Sequence, residues 1–208
     1  MINPHELQLR AIMLLYSSQL AGISPLPQSI FHNLAFYSNT LSRVFHIRAL
    51  DGKILKLKSG PYYPDLQKQL DYLICAGLVK VIIDIDDNKK TSYIIDGELS
   101  ETIITQYENV DETDEFDFIH NVVLAFSELD NVEISLSNKI DATYADDSIG
   151  YGNVIDFDEW SNYNPTFNVI DFFENYNSGF HLTKTVKIKL YIRQLQHYLS
   201  LEKGNDNE

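Results

Sequence analysis

The sequence predicts an α+β fold that is mainly helical. Apolar residues recur at helical spacing in several segments, and two alternating runs flank a polar turn in the pattern of a β-hairpin. Acidic side chains concentrate in the middle of the chain, which distinguishes a first part, residues 1–97, from a very acidic second part, residues 98–208. With 208 residues, 44% of them hydrophobic and 22% charged, the chain has the composition of a folded protein.

Two helices are predicted at the start of the chain. Apolar residues are dense over residues 7–20, Asn3-Pro4 precedes them and Gly22 follows, which indicates a helix buried on more than one side. Residues 24–27 contain two prolines, so we expect a rigid connector there. A second helix is predicted over residues 28–45, where apolar side chains again recur at helical spacing.

A strand, a third helix and a hairpin complete the first part. Lysines and apolar residues alternate loosely over residues 53–58, which predicts a short strand whose lysines face water. Pro64 suits a first helical turn, and Gly77 supplies the left-handed conformation that ends a helix. Residues 79–95 then alternate on both sides of a polar turn. This order of elements is that of an N-terminal winged helix with a β-hairpin wing.

The second part is expected to be an acidic helical domain. Apolar side chains recur at helical spacing within residues 118–129, which predicts an amphipathic helix. Residues 138–166 are rich in Asn, Asp, Ser, Gly and Tyr and show no period, which predicts a long irregular segment. A closing helix is predicted over residues 182–202, with Val186 and Leu190 among the side chains that face inward.

The charge is distributed unevenly along the chain. Of 16 basic and 30 acidic side chains, residues 81–180 hold only three basic ones but 23 acidic ones, whereas residues 1–80 hold eight basic and four acidic ones. Such an acidic middle is either a solvated surface that favours solubility or a docking face for a basic partner. The candidate acidic docking face consists of Asp111, Glu112, Asp114, Glu115, Asp156, Asp158 and Glu159.

Basic side chains of the first part are candidates for contact with a partner or with nucleic acid. In a winged helix the third helix and the wing face DNA. The predicted third helix carries a single cation and two aspartates, however, so protein contact is favoured over specific DNA reading. The candidate contact residues are Arg43, Arg48, Lys53, Lys56, Lys58 and Lys68.

Motifs for catalysis or cofactor binding do not occur in the sequence. It contains no glycine-rich phosphate loop, no histidine pair at metal-ligand spacing and no Gly-x-Ser-x-Gly elbow, so we predict no enzyme, no cofactor and no metal site. Asp156, Asp158 and Glu159, with Asp146 and Asp147 upstream, form the best nominal acid site, and a magnesium-dependent hydrolase around Asp156 and Asp158 is a further alternative. The only cation between residues 120 and 181 is Lys139, so a solvated acidic loop is preferred there.

The sequence predicts a cytoplasmic protein without membrane contact. A single cysteine fits a reducing compartment, and we expect this Cys75 to be a small buried hydrophobic residue. The first residues lack the pattern of a signal peptide, and no apolar run reaches membrane-spanning length.

One motif, at residues 60–79, resembles the core of small bacterial winged-helix families encoded beside toxins and defence genes; it comprises Gly60-Pro61, Leu66, Leu70, Leu73 and Gly77-Leu78-Val79. The whole layout resembles the middle component of ABC-three-component conflict systems, including the small subunit of Lamassu-type anti-phage and anti-plasmid defence. The resemblance implies a non-enzymatic accessory subunit that bridges an SMC-like or Rad50-like ATPase and an effector nuclease, with weak or indirect DNA contact. It carries over no catalytic residue. A winged-helix transcriptional regulator that binds DNA is the alternative.

Overall fold

The computed structural model shows an α+β chain with two small antiparallel sheets. It describes residues 3–42, 45, 47, 52–84, 90–111, 114–129, 144, 147–156, 171, 175, 179, 183, 186–191 and 193, with the side chains of 108–111 excepted. In chain order the elements are α1 (Pro4–Leu20), β1 (Leu26–Pro27), α2 (Gln28–Ser42), β2 (Lys53–Leu57), β3 (Gly60–Tyr62), α3 (Pro64–Cys75), β4 (Val79–Asp84), β5 (Lys90–Ile95), α4 (Gly97–Asp111), α5 (Glu115–Ser127) and β6 (Val154–Asp156).

Helix α1 begins and ends where the sequence predicts. The Asn3 side chain accepts a hydrogen bond from the backbone N–H of His5 at 3.1 Å, and proline occupies the first helical position. At the other end Gly22 adopts a φ of 75°, and the N–H of Ile23 donates to the carbonyl of Ser18 at 3.0 Å. This bond satisfies a carbonyl that the helix end would otherwise leave without a donor.

Helix α3 ends in the same way. The N–H of Leu78 donates to the carbonyl of Leu73 at 3.1 Å, and Gly77 adopts a φ of 81°. A side chain at Gly77 would strain this left-handed backbone conformation. The predicted roles of Pro64 and Gly77 are thereby confirmed.

The first sheet has the strand order β1-β5-β4. Strands β4 and β5 form the predicted hairpin, in which Val79 lies opposite Ile95 and Asp84 opposite Lys90. Residues 26–27, expected to be only part of a connector, form the edge strand β1 against β5. An edge position tolerates proline, because its missing N–H can face away from the sheet.

The second sheet has the order β3-β2-β6. The predicted strand at residues 53–58 is β2, and β3 returns beside it through a tight turn. Strand β6 lies within the predicted irregular segment 138–166 and pairs with β2 from the other side. The sequence did not predict β6, because its three residues are too few to show a period.

Residues before and after position 97 share one hydrophobic core. Helix α5 packs against α1 and α2, and the ring centroids of Tyr37 and Phe126 are 6.3 Å apart. Phe118 and Val122 of α5 are buried with them, as their helical spacing predicts. Across the described ranges, none of the helices combines the length and apolar character needed to cross a lipid bilayer.

Two predictions about buried side chains are wrong. In the described residues of the closing helix, Ile188 and Tyr191 are buried, whereas Val186 and Leu190 are exposed, so a different helix face turns inward. Cys75 is exposed near the end of α3, where Leu73 occupies the buried side instead. Position in an apolar stretch did not reveal on which side of the helix each residue lies.

Candidate functional site

A buried arginine joins three helices. Arg10 of α1 is 2% exposed, and its Nε and Nη2 donate to Oε1 of Glu115 on α5 at 3.1 and 2.7 Å. Its Nη1 donates to Ser38 Oγ at 3.3 Å and to Asn39 Oδ1 at 3.4 Å, both on α2. A guanidinium offers several donors in a fixed plane, so one side chain can bind groups on two neighbouring helices.

This arrangement removes Glu115 from the candidate acidic docking face. Its side chain is only 15% exposed and binds Arg10 inside the fold, so that prediction is wrong. The signal that could have found the pair is Arg10 itself, a lone cation within a helix predicted to be buried on more than one side. A buried charge needs an opposite charge nearby.

Lys53 and Asp156 were assigned to two different candidate surfaces, one basic and one acidic, and the structure brings them together. They are cross-strand neighbours in β2 and β6, with Lys53 Nζ 3.8 Å from Asp156 Oδ2. The Lys53 side chain is 68% exposed, so water screens this pair strongly. Asp156 also belongs to the nominal acid site, whose second carboxylate, Asp158, lies outside the described residues.

Lys56 is buried between two tyrosines. It is 4% exposed, and its Nζ lies 5.6 Å from the ring centroid of Tyr144 and 5.5 Å from that of Tyr151. Its backbone N–H donates to the carbonyl of Asn153 at 2.9 Å, which fixes the turn before β6 against β2. The prediction that Lys56 faces water and contacts a partner is therefore wrong.

The tyrosines beside Lys56 are positioned by β2. The Tyr144 hydroxyl donates to the carbonyl of Leu57, and burial, together with the nearby Tyr151, raises the Tyr144 pKa to about 12. The phenol therefore stays neutral at physiological pH, and its ring offers a negative face to the ammonium. This is a structural cation–π site that joins β2 to the segment around β6.

The remaining candidate cations lie on separate elements. Lys58 is exposed in the turn between β2 and β3, and Lys68 is exposed on α3. Arg43 and Arg48 fall outside the described residues. No continuous stripe of cations is therefore formed by the candidates that the structure places.

Among the other candidate acidic residues, Asp114 is exposed immediately before α5. Asp111 is the last residue of α4, and its side chain is outside the described set. Glu112, Asp158 and Glu159 also fall outside it.

A second buried polar cluster centres on Gln67 of α3. Its Oε1 is 3.1 Å from His32 Nε2, and it also accepts from Gln28 Nε2 at 3.1 Å. The backbone N–H of Tyr63 donates to His32 Nδ1 at 3.3 Å, so Nε2 carries the proton that binds Gln67. Burial lowers the His32 pKa to about 4, although the bond to Gln67 opposes the shift. Sequence patterns did not single out this histidine, because it stands among apolar residues of α2.

The outer face of α3 carries mixed charge. We define it by the exposed residues Asp65, Lys68, Asp71, Tyr72 and Cys75. A groove of about 480 Å³ lies between this face and the start of α1, lined in part by Pro4, Gln8 and Tyr72. One cation beside two carboxylates gives no electrostatic attraction for the phosphates of DNA, whereas a protein surface with both charges can complement it.

An apolar run on β4 is also exposed. Val81 and Ile82 are each 40% exposed and Ile83 is 58% exposed. The sequence contained the signal, three consecutive β-branched residues in an otherwise alternating strand, but their burial depends on which strands lie alongside.

Within the part of the chain that the structure describes, no group of three His, Cys, Asp or Glu side chains is placed to hold a metal ion. Comparison with protein-family models, curated proteins and solved structures finds no match.

Proposed function

We propose that this chain is a non-enzymatic accessory subunit that acts through protein contacts, built on a winged helix. The observation that carries the proposal is the outer face of α3. In a DNA reader the corresponding helix presents cations to phosphates and bases, but this face presents Lys68 between two carboxylates, beside an exposed tyrosine and an open groove. Exposed tyrosine is favoured in protein interfaces.

The order of elements supports the winged helix. Three helices and three strands follow one another as α1, β1, α2, α3, β4 and β5, and the strands are arranged β1-β5-β4. The β2–β3 hairpin is then an insertion between the second and third helices of the motif. Strand β2 of this insertion pairs with β6, so residues 154–156 of the acidic second part lie beside it.

The partners follow from the resemblance of residues 60–79. We propose that the subunit bridges an SMC-like ATPase and an effector nuclease in a bacterial anti-phage or anti-plasmid defence complex. The acidic charge of residues 81–180 fits a docking face for a basic surface of one of these partners, with Asp114 an exposed member of it.

Reconstitution tests this proposal. The full chain is co-expressed with the SMC-like ATPase and the nuclease encoded beside it, and the complex is isolated through a tag on the ATPase. We expect all three chains to co-elute, and Tyr72→Glu on the outer face of α3 to weaken co-elution at least tenfold. Leu99→Glu, an equally drastic change at an exposed apolar residue of α4, is the matched control. Elution of the tagged ATPase without the wild-type chain would overturn the proposal.

A DNA-binding regulator is the second candidate, favoured by the exposed side chains of Lys53, Lys58 and Lys68. It predicts a shift of duplex DNA in a gel at low salt, which the triple substitution of these lysines by glutamate abolishes. Lys56 is left unchanged in this variant, because its burial makes a substitution there a test of folding. No shift by the wild-type chain at low salt would exclude this candidate.

A further inference from the structure

Strand β4 combines an open edge with an apolar surface. It is the last strand in the order β1-β5-β4, and among the residues that the structure describes no strand pairs with its outer side. Its residues Val81, Ile82 and Ile83 are exposed on both faces of the strand. An exposed apolar edge strand is a template for pairing with another chain, and proteins normally protect such edges.

The backbone of β4 has a defined inner and outer side. The N–H of Asp96 donates to the carbonyl of Leu78 at 3.0 Å, so the carbonyl of residue 78 is directed toward β5. Because this direction alternates along an antiparallel strand, residues 80, 82 and 84 also face β5. Residues 79, 81 and 83 direct their N–H and C=O groups to the outer edge.

We propose that β4 pairs with β4 of a second copy of this chain, antiparallel and about a twofold axis at Ile82. This register places Val81 of each copy opposite Ile83 of the other, and both residues have outward backbone groups that can form the ladder. The two copies of Ile82 then face each other as a closely spaced pair. The β1-β5-β4 sheets of the two copies then form one continuous six-stranded sheet.

Charge complementarity indicates that the chain pairing with the β4 edge is a second copy of this protein. In this register Lys80 of each copy lies directly opposite Asp84 of the other, so the strand is complementary to itself at both ends of the apolar run. Within its own sheet Asp84 lies opposite Lys90, so its carboxylate is placed between two cations. A shift of the register by two residues sets either Lys80 or Asp84 of each copy against Ile82 of the other and removes the Lys80–Asp84 pairs.

The faces of the strand agree with this arrangement. Val79 is buried, and Val81 and Ile83 lie on the same face of β4 further along. They extend the apolar surface of the hydrophobic core toward the hairpin tip, where this chain provides no cover among its described residues. Pairing with a second copy would bury them. The inference does not depend on the proposed function.

The test uses the full chain and two charge-reversal variants in analytical ultracentrifugation. We expect the wild-type chain to sediment as a dimer, at twice its mass of 23.9 kDa. Lys80→Asp and Asp84→Lys each set like charges opposite one another twice, so each variant raises the dimer dissociation constant at least tenfold. Lys58→Asp, which changes the charge equally on the other sheet, leaves the constant unchanged.

Mixing the two variants separates an interface effect from damage to the hairpin. The Lys80→Asp chain carries carboxylates at both positions of the pair, and the Asp84→Lys chain carries ammonium groups at both. The mixture therefore forms a heterodimer with near wild-type affinity, although neither variant dimerises well alone. If the substitutions only frayed the hairpin, mixing the two variants would not restore dimerisation. A monomeric wild-type chain at 100 µM, about a hundred times a micromolar dissociation constant, would overturn the inference, as would a dimer that neither variant weakens.

Discussion

Arg10 and Lys53 are both cations paired with carboxylates, but their surroundings differ. Arg10 is buried with its charge bound to Glu115 and to two polar groups of α2, whereas Lys53 is largely exposed beside Asp156. Removing one partner of a buried pair leaves an uncompensated charge, which costs far more than the loss of an exposed pair. The first pair therefore bears on stability and the second does not.

We predict that Arg10→Met lowers the free energy of unfolding by about 3 kcal/mol, because the Glu115 carboxylate loses its counter-charge. The matched variant Lys53→Met should change it by less than about 1 kcal/mol. Urea denaturation of the purified chain measures both. Arg10→Met combined with Glu115→Met removes both charges and should cost less than Arg10→Met alone. Equal effects of Arg10→Met and Lys53→Met would contradict this account.

Lys56 provides a second prediction at the scale of one residue. Lys56→Glu replaces an ammonium by a carboxylate between two ring faces that carry partial negative charge, so we predict a loss of about 2 kcal/mol or more in the free energy of unfolding. Lys56→Met keeps the apolar stem and should lose about 1 kcal/mol. Lys58→Glu, two residues along the chain but exposed, should have an effect within about 0.5 kcal/mol. If Lys56→Glu were as mild as Lys58→Glu in urea denaturation, the burial of Lys56 would be wrong.

At the scale of elements, the buried polar cluster links α2 and α3 through His32 and Gln67. Its histidine is neutral in the folded state because burial lowers its pKa to about 4, against an ordinary value near 6.5. Below pH 6.5 the unfolded chain binds a proton that the folded chain does not. This contribution to stability is complete above pH 6.5 and is lost as the pH falls toward 4.

We therefore predict that the free energy of unfolding falls by up to about 3 kcal/mol through His32 between pH 6.5 and 4. His32→Gln lacks this titration, so the difference in the free energy of unfolding between wild type and variant should shrink as the pH falls. His5→Gln, at an exposed position of α1, is the control and should keep the wild-type slope. Parallel profiles for wild type and His32→Gln, from thermal or urea denaturation across this range, would contradict the prediction.

Elements with local signals were predictable from the sequence, and elements with distant partners were not. Caps and glycines at the ends of α1 and α3 act within a few residues, and strands β4 and β5 follow each other closely in the sequence, so their patterns identified them. Strands β1 and β6 depend on pairing with residues distant in sequence. The burial of Lys56 on β2 was not predictable for the same reason, because the tyrosines around it, Tyr144 and Tyr151, are distant in sequence.

At the scale of the whole molecule, charge summed over segments indicated a basic first part and an acidic second part. In the structure, ion pairs join these two parts: Arg10 binds Glu115, and Lys53 lies beside Asp156. One residue of each candidate surface is internal, namely Glu115 of the acidic set and Lys56 of the basic set. Among the candidate residues that the structure describes, the exposed ones are the basic Lys53, Lys58 and Lys68 and the acidic Asp114. Sequence reasoning found the residue types, but only the packing of distant segments could separate internal pairs from outer surface.

We propose that this chain works through protein contacts as a subunit of a larger assembly. This proposal is tested most directly by isolating the tagged, full-length chain from its own host at physiological salt and determining the composition and mass of the assembly by mass spectrometry. We expect a stable complex that contains an SMC-like ATPase. Recovery of the chain free of other proteins, with duplex DNA as its ligand, would contradict it.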